Sequence, residues 1–439
     1  MNEQITVIGG GLAGVEAAWS AAHLGAQVTL FEMKGERFSP AHHSTDLAEL
    51  VCSNSLKAKR LASAAGLMKE EMRRMGSLCI ACAEQCEVPA GGALAVDRDA
   101  FSRLVTEKIE AHPSITLVRR EVTEIPDSPC IIAAGPLASD AISARISGLC
   151  GNGLSFYDAA APIVTKDSLD PAHYFTASRY DRGGEDDYLN CPMNKEEYEA
   201  FYEALITAES APLHTFDKRK DVYEGCMPIE VMALRGKDTI RYGPLKPVGL
   251  RDPRTGHRPW AVLQLRRETK DGALLNLVGF QTNLKFSEQK RVFSMIPALA
   301  HAEFMRYGVM HRNTFLDSPR LLSADYSLKT REDLFFAGQI TGVEGYMESA
   351  QSGLLAGINL VRRLRGQRTL VLPNTTIMGA LAAYISDGSI RDFQQMGANF
   401  GVLPPIEPHI RDKKARYEAL SARSIHDLEI YLEQEGWHV

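Results

Sequence analysis

The chain has 439 residues, 45% of them hydrophobic and 24% charged, with a formal net charge of -6. That is enough apolar sequence for a sizeable core split over two or three domains, and no overall basic excess marks a nucleic-acid binder, so any basic surface must be local. Eight cysteines in so long a chain do not make a disulfide scaffold, no leader-like segment precedes the first strand, and no apolar run approaches a membrane span; the expectation is a reduced, cytoplasmic protein outside the membrane.

Ile5–Ile8 reads as a buried strand, Gly9-Gly10-Gly11-Leu12-Ala13-Gly14 as a glycine turn, Val15 to Leu24 as a helix, and Gln27 to Glu32 as a second strand. This is a βαβ unit with a dinucleotide fingerprint. Gly9 serves the turn, Gly11 lets backbone approach a pyrophosphate, and Gly14 packs helix on strand, while the helix N-terminus faces the phosphates. Glu32, at the end of the second strand, is placed to accept both ribose hydroxyls. Further along, Cys130-Ile131-Ile132-Ala133-Ala134 before Gly135 reads as another strand of the same sheet, and Leu334-Phe335-Phe336-Ala337 before Gly338 as a third. The segment ending in Gly338-Gln339 resembles the strand-then-Gly-Asp signature that holds the ribityl chain in many FAD proteins, with Gln339 where Asp is usual. The cofactor expected is therefore FAD. A helix from about Glu348 to Leu364 then points its N-terminus towards the flavin. Gly151-Asn152-Gly153 stops short of a second fingerprint, so NAD(P)H is expected to dock only transiently.

Between these halves the composition shifts. Residues 181 to 209 hold nine acids against two bases, and residues 211 to 270 hold thirteen Lys or Arg against seven acids. The fold expected is α/β: a discontinuous Rossmann-like, glutathione-reductase-like FAD-binding domain over 1–165 and 306–439, the latter with C-terminal helices, and an inserted α+β domain facing the substrate over 166–305.

Two cysteines sit in loop-like sequence. Cys226 lies in Gly225-Cys226-Met227-Pro228, near Lys218, Arg219, Lys220 and Arg235, and basic neighbours favour the reactive thiolate. Cys52 follows the Glu32 strand closely enough for its loop to reach a flavin. On residue chemistry alone, each reads either as a reactive thiol or as an inert packed one. Cys79, Cys82 and Cys86 share a helix face but lack a fourth ligand at matching spacing, so they read as core packing, and no metal is expected. His42-His43 read as loop or flavin-adjacent side chains.

Several blocks together resemble the folate- and FAD-dependent tRNA (uracil-5-)-methyltransferases, the TrmFO family. They are Val7 to Gly14, Ala48 to Ser55 (AELVCSNS), Val88 to Arg98 (VPAGGALAVDR), Glu224 to Met232 (EGCMPIEVM), Arg241 to Leu250 (RYGPLKPVGL), Val278 to Lys285 (VGFQTNLK) and Met310 to Thr314 (MHRNT). The cysteine trio departs from the family pattern. The resemblance implies that 5,10-methylenetetrahydrofolate supplies carbon, FAD handles carbon and electrons, NAD(P)H is the reductant, and the product is 5-methyluridine in the TΨC loop of tRNA. It also implies Cys226 as the nucleophile at uracil C6, with Cys52 the second functional thiol, and requires no protein partner. An RNA substrate would give Lys246, Arg251, Arg254, Arg258, Arg266 and Arg267 a purpose as phosphate contacts. The competing readings are the same chemistry on ribosomal RNA, a plain flavin oxidoreductase on a small molecule, a non-catalytic RNA-binding flavoprotein, and the related, longer family that modifies the tRNA wobble uridine.

Overall fold

The computed structural model describes residues 3–39, 41–151, 154–159, 161–181, 184, 187–211, 227–308, 310–391 and 393–437; of 154–159, 181 and 310–314 only the backbone is described. The alternation of apolar residues in Gln4–Ile8 and Gln27–Glu32 makes parallel partners, with Ile8 opposite Phe31. They sit inside a six-stranded sheet whose order is Ser327–Leu328, Arg331–Phe336, Cys130–Ile132, Gln4–Ile8, Gln27–Glu32, Ile115–Arg119. All neighbours are parallel except the first pair. Cys130–Ile132 is wholly apolar and buried, whereas Arg331–Phe336 begins with three charged residues at the rim and becomes apolar and buried only at Leu334, Phe335 and Phe336, where it pairs with Cys130–Ile132.

Register sets where a ligand can sit. Ile8 pairs with Ile132, and Ile132 with Phe336, so three central strands end level. The turns that follow, at Gly9, Ala133 and Gly338, gather on one rim, the carboxyl edge at which open parallel sheets bind ligands.

The first helix, Leu12–His23, begins three residues earlier than the apolar periodicity suggests, because the last turn of the glycine loop is already helical with Gly11 as its N-cap. Its alanine-rich face is fully buried against the helix Tyr346–Leu364. The approach is too close for a side chain: a Cβ on Gly353 would lie 2.0 Å from the Ala13 carbonyl oxygen. Two further helices, Ile377–Ser386 and Lys413–Gln434, pack behind, tied together by Glu71, which accepts from the Ile377 and Met378 amides and the Ser424 hydroxyl.

A second six-stranded sheet, wholly antiparallel, has the order Phe175–Thr176, Tyr188–Met193, Ala261–Arg267, Leu274–Leu277, Ile163–Thr165, Phe304–Arg306. The helix Lys195–Ile206, started by an Asn194/Glu197 capping box, buries Tyr198, Phe201 and Leu205 in this sheet's own core. The chain leaves and re-enters the first unit through an antiparallel ribbon, Leu154–Ala159 against Met310–Phe315. The edge strand Phe304–Arg306 is irregular: Phe304 pairs with Val164 but Arg306 with Ile163, so one extra residue, Met305, is accommodated. Among the described residues no helix is long and apolar enough to cross a membrane.

Candidate active site

The level strand ends open on a cleft lined by Gly9, Gly11, Leu12 and Ala13 of the first turn, by Glu32, by Ala133 to Ser139, by Gly338 and Gln339, and by His42, Glu49, Val51 and Tyr346. The three fingerprint glycines differ in what they permit. Gly9 has φ +104°, a conformation that a side chain resists. A Cβ on Gly14 would stand 1.7 Å from the Gly9 carbonyl oxygen, so helix and turn could not both keep their places. A Cβ on Gly11 would meet nothing within 4 Å and would project into open space. Gly11 caps the helix without a side-chain acceptor, leaving the amides of the first turn for an anion.

Glu32 is 94% buried and its carboxylate is fixed: Oε2 accepts from the Gly10 amide at 2.7 Å and Oε1 from the Lys34 amide at 2.8 Å. Each oxygen keeps lone-pair capacity for a ribose hydroxyl. Gly338, at φ +88°, gives its own amide to Ser352 Oγ, and Gln339 opens a short 3-10 turn on the cleft wall. The open anion site, the fixed carboxylate and this second glycine turn on one rim fit FAD, and these are the residues that would hold it. His42, bonded to Ser39 Oγ, also lines the cleft; burial and the nearby Lys34 hold its pKa below the ordinary imidazole value.

Cys52 lies beside the same cleft, next to the lining residue Val51. Its loop is held residue by residue. Leu50 O accepts from Arg98 Nη1 (2.9 Å), Val51 O from Arg306 Nη2 (2.7 Å), Ser53 Oγ from Arg266 Nη2 (2.9 Å), and Asn54 Oδ1 from Arg266 Nε (2.9 Å). Cys52 itself is held by Tyr346, whose hydroxyl oxygen accepts from the amides of Cys52 (2.8 Å) and Ser53 (3.3 Å) and lies 3.0 Å from Cys52 Sγ. Two amides use the oxygen's lone pairs, so its own proton is the one to be shared with sulfur. Burial, and after it the thiol, push the Tyr346 phenol well above its usual pKa and keep that proton in place. Arg98 forms a two-pronged ion pair with Glu268 (2.6 and 3.2 Å), both side chains largely buried. The group can therefore present a sulfur that accepts a proton at the mouth of a flavin cleft.

Cys226 lies outside the described residues, as do Lys218, Arg219 and Lys220. Cys79, Cys82 and Cys86 are packed in the large core; burial raises all three thiols, Cys82 to about 12. Two of the expected phosphate contacts need correction. Arg266 is buried and spent on Ser53 and Asn54, and Arg254 is forked onto Asp252 with a further bond to the Ala172 carbonyl. Arg251 and Arg258 are exposed and Lys246 is half-buried. Tyr346, Arg98, Glu268 and Arg306 are site residues that residue chemistry alone misses. The available signal was a run of three charged residues, Arg266-Arg267-Glu268, of which the first two end a largely apolar strand.

Comparison with known proteins adds the family. The model of the family described as glucose inhibited division protein A matches residues 4–368. The chain is 55% identical over 426 residues to the methylenetetrahydrofolate-tRNA-(uracil-5-)-methyltransferase TrmFO of Enterococcus faecalis, covering 97% of this chain and 98% of that protein. It is 56% identical over 434 residues to the protein of the same name from Natranaerobius thermophilus (98% and 100% covered), and 56% over 433 residues to that of Geobacter sulfurreducens (98% and 99%). Among solved structures, Aquifex aeolicus GidA superposes with a TM-score of 0.69 at 15% identity, covering 98% of this chain and 74% of that one, a likeness of fold. With full-length identity above one half to several of its members, this chain belongs to the TrmFO family of flavoproteins.

Proposed function

We propose that this protein methylates C5 of a uridine in the TΨC loop of tRNA, drawing the carbon from 5,10-methylenetetrahydrofolate, with FAD in the cleft and NAD(P)H as the reductant. The observation that carries the reading is the placement of the Cys52 sulfur, hydrogen-bonded to Tyr346, beside a cleft built for FAD. Bound FAD supplies the electrons that turn a transferred methylene into a methyl group.

The chain's own residues would do the rest. Uracil C5 is a poor nucleophile until a thiolate adds at C6, which pushes the ring's π electrons onto the C4 oxygen and makes C5 electron-rich. That role falls to Cys226. Once carbon is attached, the C5 proton must leave, and Cys52 accepts it, with Tyr346 fixing the sulfur and the arginines fixing the loop. The electron pair left by that proton would expel the nitrogen that carried the carbon, leaving an exocyclic methylene on C5; a hydride equivalent from the reduced cofactor would make it a methyl group, and the C6–sulfur bond then breaks, returning the Cys226 thiolate and restoring the ring. The inserted unit between the two halves of the nucleotide-binding unit faces the RNA, and the enzyme works where tRNA is, in the cytoplasm.

The test is purified flavin-loaded protein with methylenetetrahydrofolate, NADPH or NADH, and an unmodified tRNA transcript, followed by nucleoside analysis. 5-Methyluridine at the T-loop position is the expected product. No methyl incorporation, or incorporation only into ribosomal RNA fragments, overturns the assignment. Cys226→Ser and Cys52→Ser are each expected to stay yellow and lose methylation.

A further inference from the structure

Three guanidiniums converge on the Cys52 loop, and a single carboxylate answers them. Arg98, Arg266 and Arg306 each donate to it, while Glu268 is the one acid paired with them among the described residues. Glu49, just before the loop, is already paired with Lys34. The cluster thus carries an excess of two positive charges, and still one if the Cys52 sulfur is ionised. Excess charge held away from water is costly unless an anion completes it.

Arg306 is the member with capacity left. Its bond to the Val51 carbonyl uses one nitrogen; the other N–H groups have no partner among the described residues, yet are not sealed from solvent. The backbone has been altered to aim it. Phe304 and Arg306 would share a strand face in regular pairing, but the extra residue at Met305 turns them to opposite sides. Phe304, half-buried, packs against the core of the second sheet, Met305 is 61% exposed, and Arg306 reaches across to the Cys52 loop.

We infer that Arg306 is an anion-binding residue that takes a backbone phosphate of the substrate RNA flanking the target uridine, next to Cys52. This rests on the reading of the protein as an RNA uridine methyltransferase. A planar guanidinium with free N–H groups suits a phosphodiester, and fixing the phosphate beside the thiol fixes the base it carries. Since Arg306 belongs to the second sheet and Cys52 to the first unit, the nucleotide would be gripped where the two meet.

The experiment measures binding of a fluorescent T-arm RNA hairpin to flavin-loaded wild type, Arg306→Gln and Arg306→Lys between 50 and 200 mM KCl. Each lost phosphate contact lowers the slope of log affinity against log salt by roughly 0.7–0.9. Arg306→Gln is expected to bind about tenfold more weakly at 50 mM and about threefold more weakly at 200 mM, while Arg306→Lys keeps the wild-type slope. A hairpin with one neutral methylphosphonate beside the target uridine should lose the same slope with wild type and nothing further with Arg306→Gln, a check that does not depend on how well the variant folds. An unchanged slope in both arms overturns the proposal. So does a rise in KM for methylenetetrahydrofolate with RNA binding intact, which would assign the anion to the folate carboxylates. Slower alkylation of Cys52 as the sole effect also overturns it. If wild type binds RNA with this slope but methylates nothing, the functional reading fails and the phosphate site stands.

Discussion

Gly11 and Gly14 are three residues apart in one fingerprint, and the structure separates their duties cleanly enough to test. At Gly11 the backbone has φ -73° and ψ -176°, open to any residue, and a new Cβ has no neighbour within 4 Å. Alanine there meets no clash, and the roughly 0.4–1 kcal/mol gained by restricting the unfolded chain is about offset by alanine's poorer N-capping, so the apoprotein keeps near wild-type stability. The methyl group does, however, occupy the space through which a pyrophosphate must approach the first-turn amides. Weakening one or two charge-assisted hydrogen bonds, at about 1.5–3 kcal/mol each, predicts FAD affinity lower by roughly a hundredfold. Gly14→Ala has the opposite profile. With its Cβ 1.7 Å from the Gly9 carbonyl oxygen, helix and strand must part by more than an ångström, beyond the ~1–3 kcal/mol typical of overpacking. The assay is FAD titration of stripped apoprotein by flavin fluorescence, beside thermal melts of the same samples. Gly11→Ala should melt close to wild type and bind FAD poorly, and Gly14→Ala should fold poorly before flavin is added. Gly11→Ala with FAD affinity within twofold of wild type would refute the placement of the phosphates against this turn.

Three further outcomes follow from the site and its supports. Tyr346→Phe leaves two loop amides without their acceptor, a loss of about 1–3 kcal/mol, and takes a hydrogen-bond donor from the sulfur; Cys52 alkylation should shift to higher pH while flavin content is unchanged, and an unshifted profile counts against the sharing of the phenol proton. Glu268→Gln strands the Arg98 guanidinium in a largely buried place and should cost about 3–5 kcal/mol by urea unfolding, with Glu268→Asp recovering part of it; a loss under 1 kcal/mol would show that water already reaches the pair. Burial raises the Glu71 carboxyl from 4.5 to about 7, so the folded state holds its proton more tightly than the unfolded chain does. The stability this confers is complete below about pH 4.5 and is lost as pH rises through about 7, some 3 kcal/mol in all. Glu16 behaves alike, for the same reason; Glu71→Gln should therefore reduce, without abolishing, the fall in stability between pH 5 and 7, and an unaltered fall would locate it elsewhere.

The nucleotide half was legible because its signals are local. Gly9 to Gly14 lies between an apolar strand and an alanine-rich helix, and Glu32 ends the next strand; nothing distant is needed to place them. Leu334 to Gly338 reads similarly. What escaped depends on partners far along the chain. Arg266 looks like one more surface charge until Asn54 and Ser53, over two hundred residues earlier, are seen to bury it. Arg254 is withdrawn by its own neighbour Asp252, a pairing that charge counting overlooks. The aim of Arg306 depends on a pairing irregularity that no side-chain pattern in Phe304–Arg306 announces. Tyr346 reads as an ordinary helix-start aromatic until the fold carries the Cys52 loop to its hydroxyl.

The interrupted central sheet also bears on how the protein is made. Cys130–Ile132 emerges from the ribosome long before Arg331–Phe336, the strand that must lie beside it. At about 5–20 residues per second the intervening chain takes on the order of 10–40 s to synthesise. Throughout that interval the nascent sheet shows an apolar, unpaired parallel edge, a template for wrong strands. The flavin cleft lacks its Gly338 wall for the same time, so a growing chain cannot yet close its cleft around the cofactor.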